Sequence, residues 1–86
     1  MTEILAVFRS RSQAIDCNAK LKTAGVNATL INTPKEANVG CGLSVKFQLN
    51  MLNRVRMVIK RWNYSAFYGF LRMQNNYGRT TFGRIN

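Results

Sequence analysis

The sequence predicts an α+β domain with the element order β-α-β-β-α-β. Three observations carry that prediction. Short apolar runs rich in branched and aromatic residues recur along the chain. Two longer segments repeat their apolar residues at helical spacing, and Gly and Pro fall mainly between the periodic segments. The chain has 86 residues, enough for one such domain and too few for two. Its hydrophobic fraction of 47% is that of a folded domain rather than a disordered chain.

The first strand is Ile4-Leu5-Ala6-Val7-Phe8, bounded by Arg9-Ser10-Arg11-Ser12. Residues 13–24 place Ala14, Cys17, Leu21 and Ala24 on one helical face, with Ile15 alongside and Asn18, Lys20 and Lys22 mostly opposite. Ser10 or Ser12 can cap this helix, and Gly25 supplies the left-handed residue that ends it. Residues 26–33 read as the second strand, stopped by Pro34, which cannot donate to a ladder. Residues 35–40 form a loop. Leu43, Val45, Phe47 and Leu49 then alternate strictly, which makes residues 43–49 a half-buried third strand. Residues 50–62 carry Leu52, Val55, Ile59 and Trp62 as the inward stripe of a second helix, with Met51 and Val58 flanking it. Residues 64–73 fit a fourth strand with Gly69 as a bulge position. Residues 74–86 are polar and basic, so the domain is expected to cover residues 1–73 and the rest to be a flexible tail.

This order is the ferredoxin-like split βαβ arrangement. Right-handed crossovers then put both helices on one face of a four-stranded antiparallel sheet. The end of the first strand, the start of the first helix and the turn between strands two and three should share one rim. Arg9, Ser10, Arg11, Pro34, Lys35, Gly40, Cys41, Gly42 and Trp62 are expected there. The first strand is apolar on both sides, with Ile4, Ala6 and Phe8 alternating with Leu5 and Val7. The sheet's open face therefore needs a cover, either a second copy in a homodimer or the tail with Tyr77, Phe82 and Ile85.

Composition removes several chemistries. The chain has no His, so no imidazole base, no Ser-His-Asp triad and no His-ligated metal. Two cysteines cannot make a four-thiolate metal site, and 3 acidic residues are a poor basis for paired-carboxylate catalysis. Neither a metal nor a resident cofactor is expected. No run approaches the ~20 apolar residues that span a bilayer, and Met1-Thr2-Glu3 does not open a secretory signal. A cytoplasmic protein with reduced thiols is the expectation. The formal net charge of +10 predicts attraction to polyanions, including nonspecific attraction.

The two cysteines differ. Cys17 lies on the apolar face of the first helix, where a thiol acts as a small hydrophobe. Cys41 lies between Gly40 and Gly42, which leave its sulfur unshielded. The free amides at the first helix's N-terminus, with Arg9, Ser10, Arg11 and Lys35, would favour its thiolate and lower its pKa from about 8.5. The plainer alternative is an exposed loop thiol between turn glycines. A Cys17–Cys41 disulfide does not fit the expected separation of the two positions.

Phe8-Arg9-Ser10, Leu21-Lys22-Thr23-Ala24-Gly25, Leu30-Ile31-Asn32-Thr33-Pro34-Lys35-Glu36 and Gly40-Cys41-Gly42-Leu43-Ser44-Val45-Lys46-Phe47 together resemble a small bacterial family of selenium/sulfur carrier protein-like domains. The resemblance spans about residues 4–60. It rests on Thr33-Pro34 followed by Cys41-Gly42 at the start of the next strand. It implies that Cys41 holds sulfur or selenium as a persulfide or perselenide, with Thr33, Pro34, Gly40 and Gly42 shaping the site. It also implies donor and acceptor proteins as partners, and a carrier rather than a free-standing enzyme. The second helix, with Arg54, Arg56, Lys60 and Arg61 and no acid, and the basic residues after Met73 are features beyond that pattern.

Two other readings compete. An RNA-binding module would stack bases on Phe47, Tyr64, Phe67, Tyr68 and Phe70 and contact phosphates through Arg72, Arg79 and Arg84. A homo-oligomeric interaction module would use the open sheet face and keep its cysteines structural.

Overall fold

Alternate residues of strand β1 (Thr2–Phe8) serve opposite faces of the sheet, and all from Ile4 to Phe8 are buried. The computed structural model describes residues 2–39 and 42–85, so Gly40 and Cys41 lie outside the described residues. After β1 come α1 (Arg11–Thr23), β2 (Thr29–Asn32), β3 (Leu43–Gln48), α2 (Leu52–Trp62), β4 (Phe67–Asn76) and β5 (Arg79–Ile85). Single 3-10 turns at Lys35–Ala37 and Leu49–Met51 precede β3 and α2. The sheet order is β2-β3-β1-β4-β5, and each neighbouring pair is antiparallel.

The expected four-stranded ferredoxin-like sheet is therefore corrected to five strands. The first four keep the order β2-β3-β1-β4, and β5 adds an edge beyond β4. Residues 74–85, read from sequence as tail, lengthen β4 and build β5. Their turn is Tyr77-Gly78, with φ of 54° and 76° at the two central positions. Two positive φ values give the turn whose twist matches a β-hairpin. Asn-Gly would have announced it, whereas tyrosine rarely takes this conformation.

Ile4, Ala6 and Phe8 of β1 meet Val45, Phe47 and Leu43 of β3, Phe70 of β4 and the inner sides of both helices. Those inner residues are Ala14, Cys17 and Leu21 from α1 with Val55 and Ile59 from α2. Aromatic rings fill the centre. Phe8 packs at 5.5 Å from both Tyr64 and Phe67, and Phe70 at 5.0 Å from Phe67 and 6.2 Å from Phe47. These edge-on and tilted geometries suit the ring quadrupoles. Leu5 and Val7 face the other side and form a smaller cluster with Leu71 and Ala37, against which Ile31, Val39, Tyr68 and Phe82 pack. The β2–β3 connection thus supplies part of the open face's cover, while β5 does not fold across that face but extends the sheet beyond β4. Phe82 contributes there, but Ile85 packs on the helix side and Tyr77 is fully exposed.

Helix α1 begins and ends as the residues predict. Ser10 Oγ accepts from the Gln13 amide at 3.3 Å. At the other end Gly25 takes φ 85°, while the Gly25 and Val26 amides donate to the Lys22 and Leu21 carbonyls. This is the Schellman closure that glycine permits. Four sequence expectations fail locally. Asn18 is buried, and its Oδ1 has no hydrogen-bond partner. Ala24 is exposed at the α1 C-cap, and Leu49 is exposed because β3 ends at Gln48. Trp62 is half exposed rather than inward, its ring lying under the Lys20 ammonium at 4.2 Å. A cation on the ring face lets an indole remain at the surface.

Candidate functional site

The rim begins where β1 ends. The Arg9 amide donates to the Ala66 carbonyl at 2.9 Å, and Ser10 then caps α1. One turn on, Gln13 clamps the segment before β4: its Oε1 accepts from the Ala66 amide at 2.8 Å and its Nε2 donates to Ser65 Oγ at 2.9 Å. Tyr64 donates to Asp16 Oδ2 at 2.6 Å, and Lys20 donates to the same oxygen at 2.6 Å. Those two bonds hold the Asp16 carboxyl below its ordinary pKa, and burial together with the Asp16 bond pushes the Tyr64 phenol up. Sequence reading missed this clamp, because Gln13 and Asp16 lie on the helix side that faces a strand entry distant in the chain.

On the other side of the rim, the Thr33 amide donates to the Gly42 carbonyl at 3.1 Å, extending the β2–β3 pairing by one step. Thr33 Oγ1 shares a 2.9 Å hydrogen bond with Ser44 Oγ, which satisfies a fully buried serine. Pro34, at φ −62° and ψ 150°, starts the Lys35–Ala37 turn, and the turn ends with Asn38 in the left-handed conformation. Gly42 is buried, and a Cβ on it would lie 2.6 Å from the Phe8 carbonyl oxygen and 3.4 Å from Thr33 Oγ1. Any larger residue there would force the backbone to shift. The residue after Cys41 therefore sits against the end of β1, two residues before the α1 cap. Thr33 and Gly42 are joined directly. Arg11 and Lys35 are both exposed.

Arg9 goes elsewhere. Its guanidinium lies 4.8 Å from the centre of the Tyr68 ring, and Arg84 lies over the same ring at 4.8 Å while donating to the Tyr68 hydroxyl at 3.2 Å. The cause is a register shift between Val7 and Phe8: Val7 pairs with Gly69 and Phe8 with Phe67, leaving Tyr68 over. Gly69, at φ 155°, accommodates the irregularity. Below Tyr68 is a cavity of about 160 Å³. Val7, Leu71 and Phe82 line it from the sheet, Glu36 and Ala37 from the 3-10 turn, and Arg84 from β5.

Cys17 is completely buried in the helix-side core, and burial with the Asp16 charge pushes its thiol up to about 12. It stays protonated at neutral pH. Of the strand aromatics expected as a base-stacking platform, Phe47 and Phe70 are buried, and Tyr64 and Phe67 pack on the same core. Only Tyr68 faces the other side, already flanked by two guanidiniums. The platform as expected is not formed.

Among the described residues, no group of three or more His, Cys, Asp or Glu is arranged to hold a metal, and no helix is long and apolar enough to cross a membrane. The family model "Putative Se/S carrier protein-like" matches residues 3–68. The chain belongs to this family. The match runs from β1 through the start of β4 and leaves β5 outside. No curated protein and no solved structure matches the chain.

Proposed function

We propose that the protein carries sulfur or selenium on Cys41 between a donor and an acceptor protein. The observation that carries this reading is the family match, which spans both Thr33-Pro34 and Gly40-Cys41-Gly42. The local stereochemistry of the neighbouring residues supports it, since Gly42 is pressed against the Phe8 carbonyl beside the capped start of α1. In this reading the free amides of α1, with Ser10, Arg11 and Lys35, favour an anion on Cys41. Arg9 adds charge from its place on Tyr68, and Thr33, Pro34, Gly40 and Gly42 shape the loop.

Transfer needs no acid or base from this chain. The Cys41 thiolate attacks the terminal sulfur of a donor persulfide. A new S–S bond forms, the donor's own S–S bond breaks, and its electron pair leaves with the donor's inner sulfur as thiolate. An acceptor thiolate then repeats the step on the Cys41 persulfide and regenerates the Cys41 thiolate. The proton on the terminal sulfur travels with it, and no external oxidant or reductant enters. Selenium follows the same path as a perselenide. A lowered thiol pKa raises the attacking fraction at neutral pH. The proposed setting is the reducing cytoplasm.

Intact mass after incubation with a cysteine or selenocysteine lyase and its substrate tests the reading. One added sulfur or selenium atom, absent in Cys41→Ser, is the expected result. Iodoacetamide should also find one fast site near neutral pH in the wild type and none in Cys41→Ser. Slow, equal labelling of both cysteines would remove the carrier reading.

A further inference from the structure

Two guanidiniums, those of Arg9 and Arg84, lie on one tyrosine ring, within twice 4.8 Å of each other. Neither takes part in an ion pair among the described residues. Like charges so placed repel, and an anion within reach of the guanidiniums would offset that repulsion. The cavity beneath adds two features. Val7, Ala37, Leu71 and Phe82 give it a hydrocarbon side beside a polar one, and its volume of about 160 Å³ is close to the roughly 150 Å³ that admits benzene. It is also lined by Glu36, whose carboxylate is unpaired among the described residues, so a negative group shares the cavity with the positive Arg84.

We propose that this cavity binds a small α-amino acid. The carboxylate is received by the planar, multi-donor guanidinium of Arg84, which matches it in geometry, and Arg9 on the same ring adds positive charge. The ammonium is received by Glu36, and a small apolar or thiol side chain occupies the hydrocarbon pocket. Inorganic phosphate fits less well, because Glu36 repels it and the hydrocarbon side of the lining offers it no donors. Arg84 is held in place by the Tyr68 hydroxyl before any ligand arrives, so little side-chain freedom is lost on binding. The proposal does not depend on chalcogen transfer, although the turn bearing Glu36 and Ala37 belongs to the same connection as Cys41.

Amide NMR of the full chain, titrated with L-alanine, L-valine and L-cysteine under reducing conditions, tests it. Saturable shifts at Ala37, Tyr68 and Arg84 are expected with at least one of the three. Propionate, which lacks the ammonium, and propylamine, which lacks the carboxylate, should each bind at least about tenfold more weakly, as loss of a charged hydrogen bond implies. Arg84→Gln and Glu36→Gln, both at exposed positions, should weaken amino-acid binding by the same factor with the remaining amide spectrum unchanged. Cys41→Ser should bind as the wild type does, which separates this proposal from the carrier reading. The absence of saturable shifts with all three amino acids would overturn it. So would equal binding of propionate or inorganic phosphate, or unchanged binding by either variant.

Discussion

The sheet's two faces are built from the same strands, yet they are covered differently. The helix side is closed by α1 and α2 over interlocked aromatic rings, and its central residues are wholly inaccessible. The opposite side is covered by a three-residue turn and by a few side chains, Tyr68 and Phe82 among them, and a cavity remains beneath Tyr68. Dense packing fixes one arrangement of side chains. The thinner cover leaves charged groups, Glu36, Arg84 and Arg9, next to hydrocarbon, which is the combination ligand sites use. Stability thus resides mainly on one face, and recognition chemistry has room on the other.

The sharpest way to break this contrast is truncation on each side. Phe8→Ala removes the ring about which Tyr64 and Phe67 pack and should cost ~3–5 kcal/mol in urea unfolding. Leu71→Ala, on the cavity wall, should fall at the low end for leucine, about 2 kcal/mol, because part of its surface already lacks neighbours. Equal losses would show that the second face is as tightly packed as the first.

A steric test of the rim comes next in size. Gly42→Ala places a Cβ against the backbone oxygen of Phe8, so the chain must shift rather than a flexible side chain. A loss of about 1–3 kcal/mol is expected from such overpacking. In the carrier reading, iodoacetamide labelling of Cys41 should also change in the same variant. Ser10→Ala should cost about 1 kcal/mol as a lost cap, readable as a lower denaturant midpoint.

Much of the helix side was legible in the sequence because periodicity reports burial directly. The spacing of Leu43, Val45 and Phe47 in β3 and of Val55 and Ile59 in α2 needed no other information. The Gly25 stop was legible for a local reason, the need for positive φ. Residues with two characters misled. Trp62 counts as apolar in a stripe, yet a cation on its face keeps it at the surface. β5 escaped because Gly83 and two arginines dilute its alternation and its turn begins with tyrosine. At the candidate site, the closeness of Gly42 to β1 followed from element order. Arg9's turn toward Tyr68 did not, since it depends on a register shift between β1 and β4 that no local pattern encodes.

The smallest effect at neutral pH belongs to Cys17, where the contrast between buried core and open rim becomes a matter of proton binding. Its thiol is pushed up from 9.0 to about 12, chiefly by burial. Below pH 9 the folded and unfolded forms both hold the proton, so stability should not depend on this group. Above pH 9 the unfolded chain releases its proton while the folded one retains it, so stability falls as pH rises toward 12. Thermal unfolding should show a shallower decline over that window in Cys17→Ala than in the wild type, even though the variant starts from a lower midpoint. Iodoacetamide at pH 7–8 should leave Cys17 untouched until the chain unfolds. Rapid labelling of Cys17 in the folded Cys41→Ser variant would mean that the helix-side core opens readily, and the division of labour between the two faces would then fail.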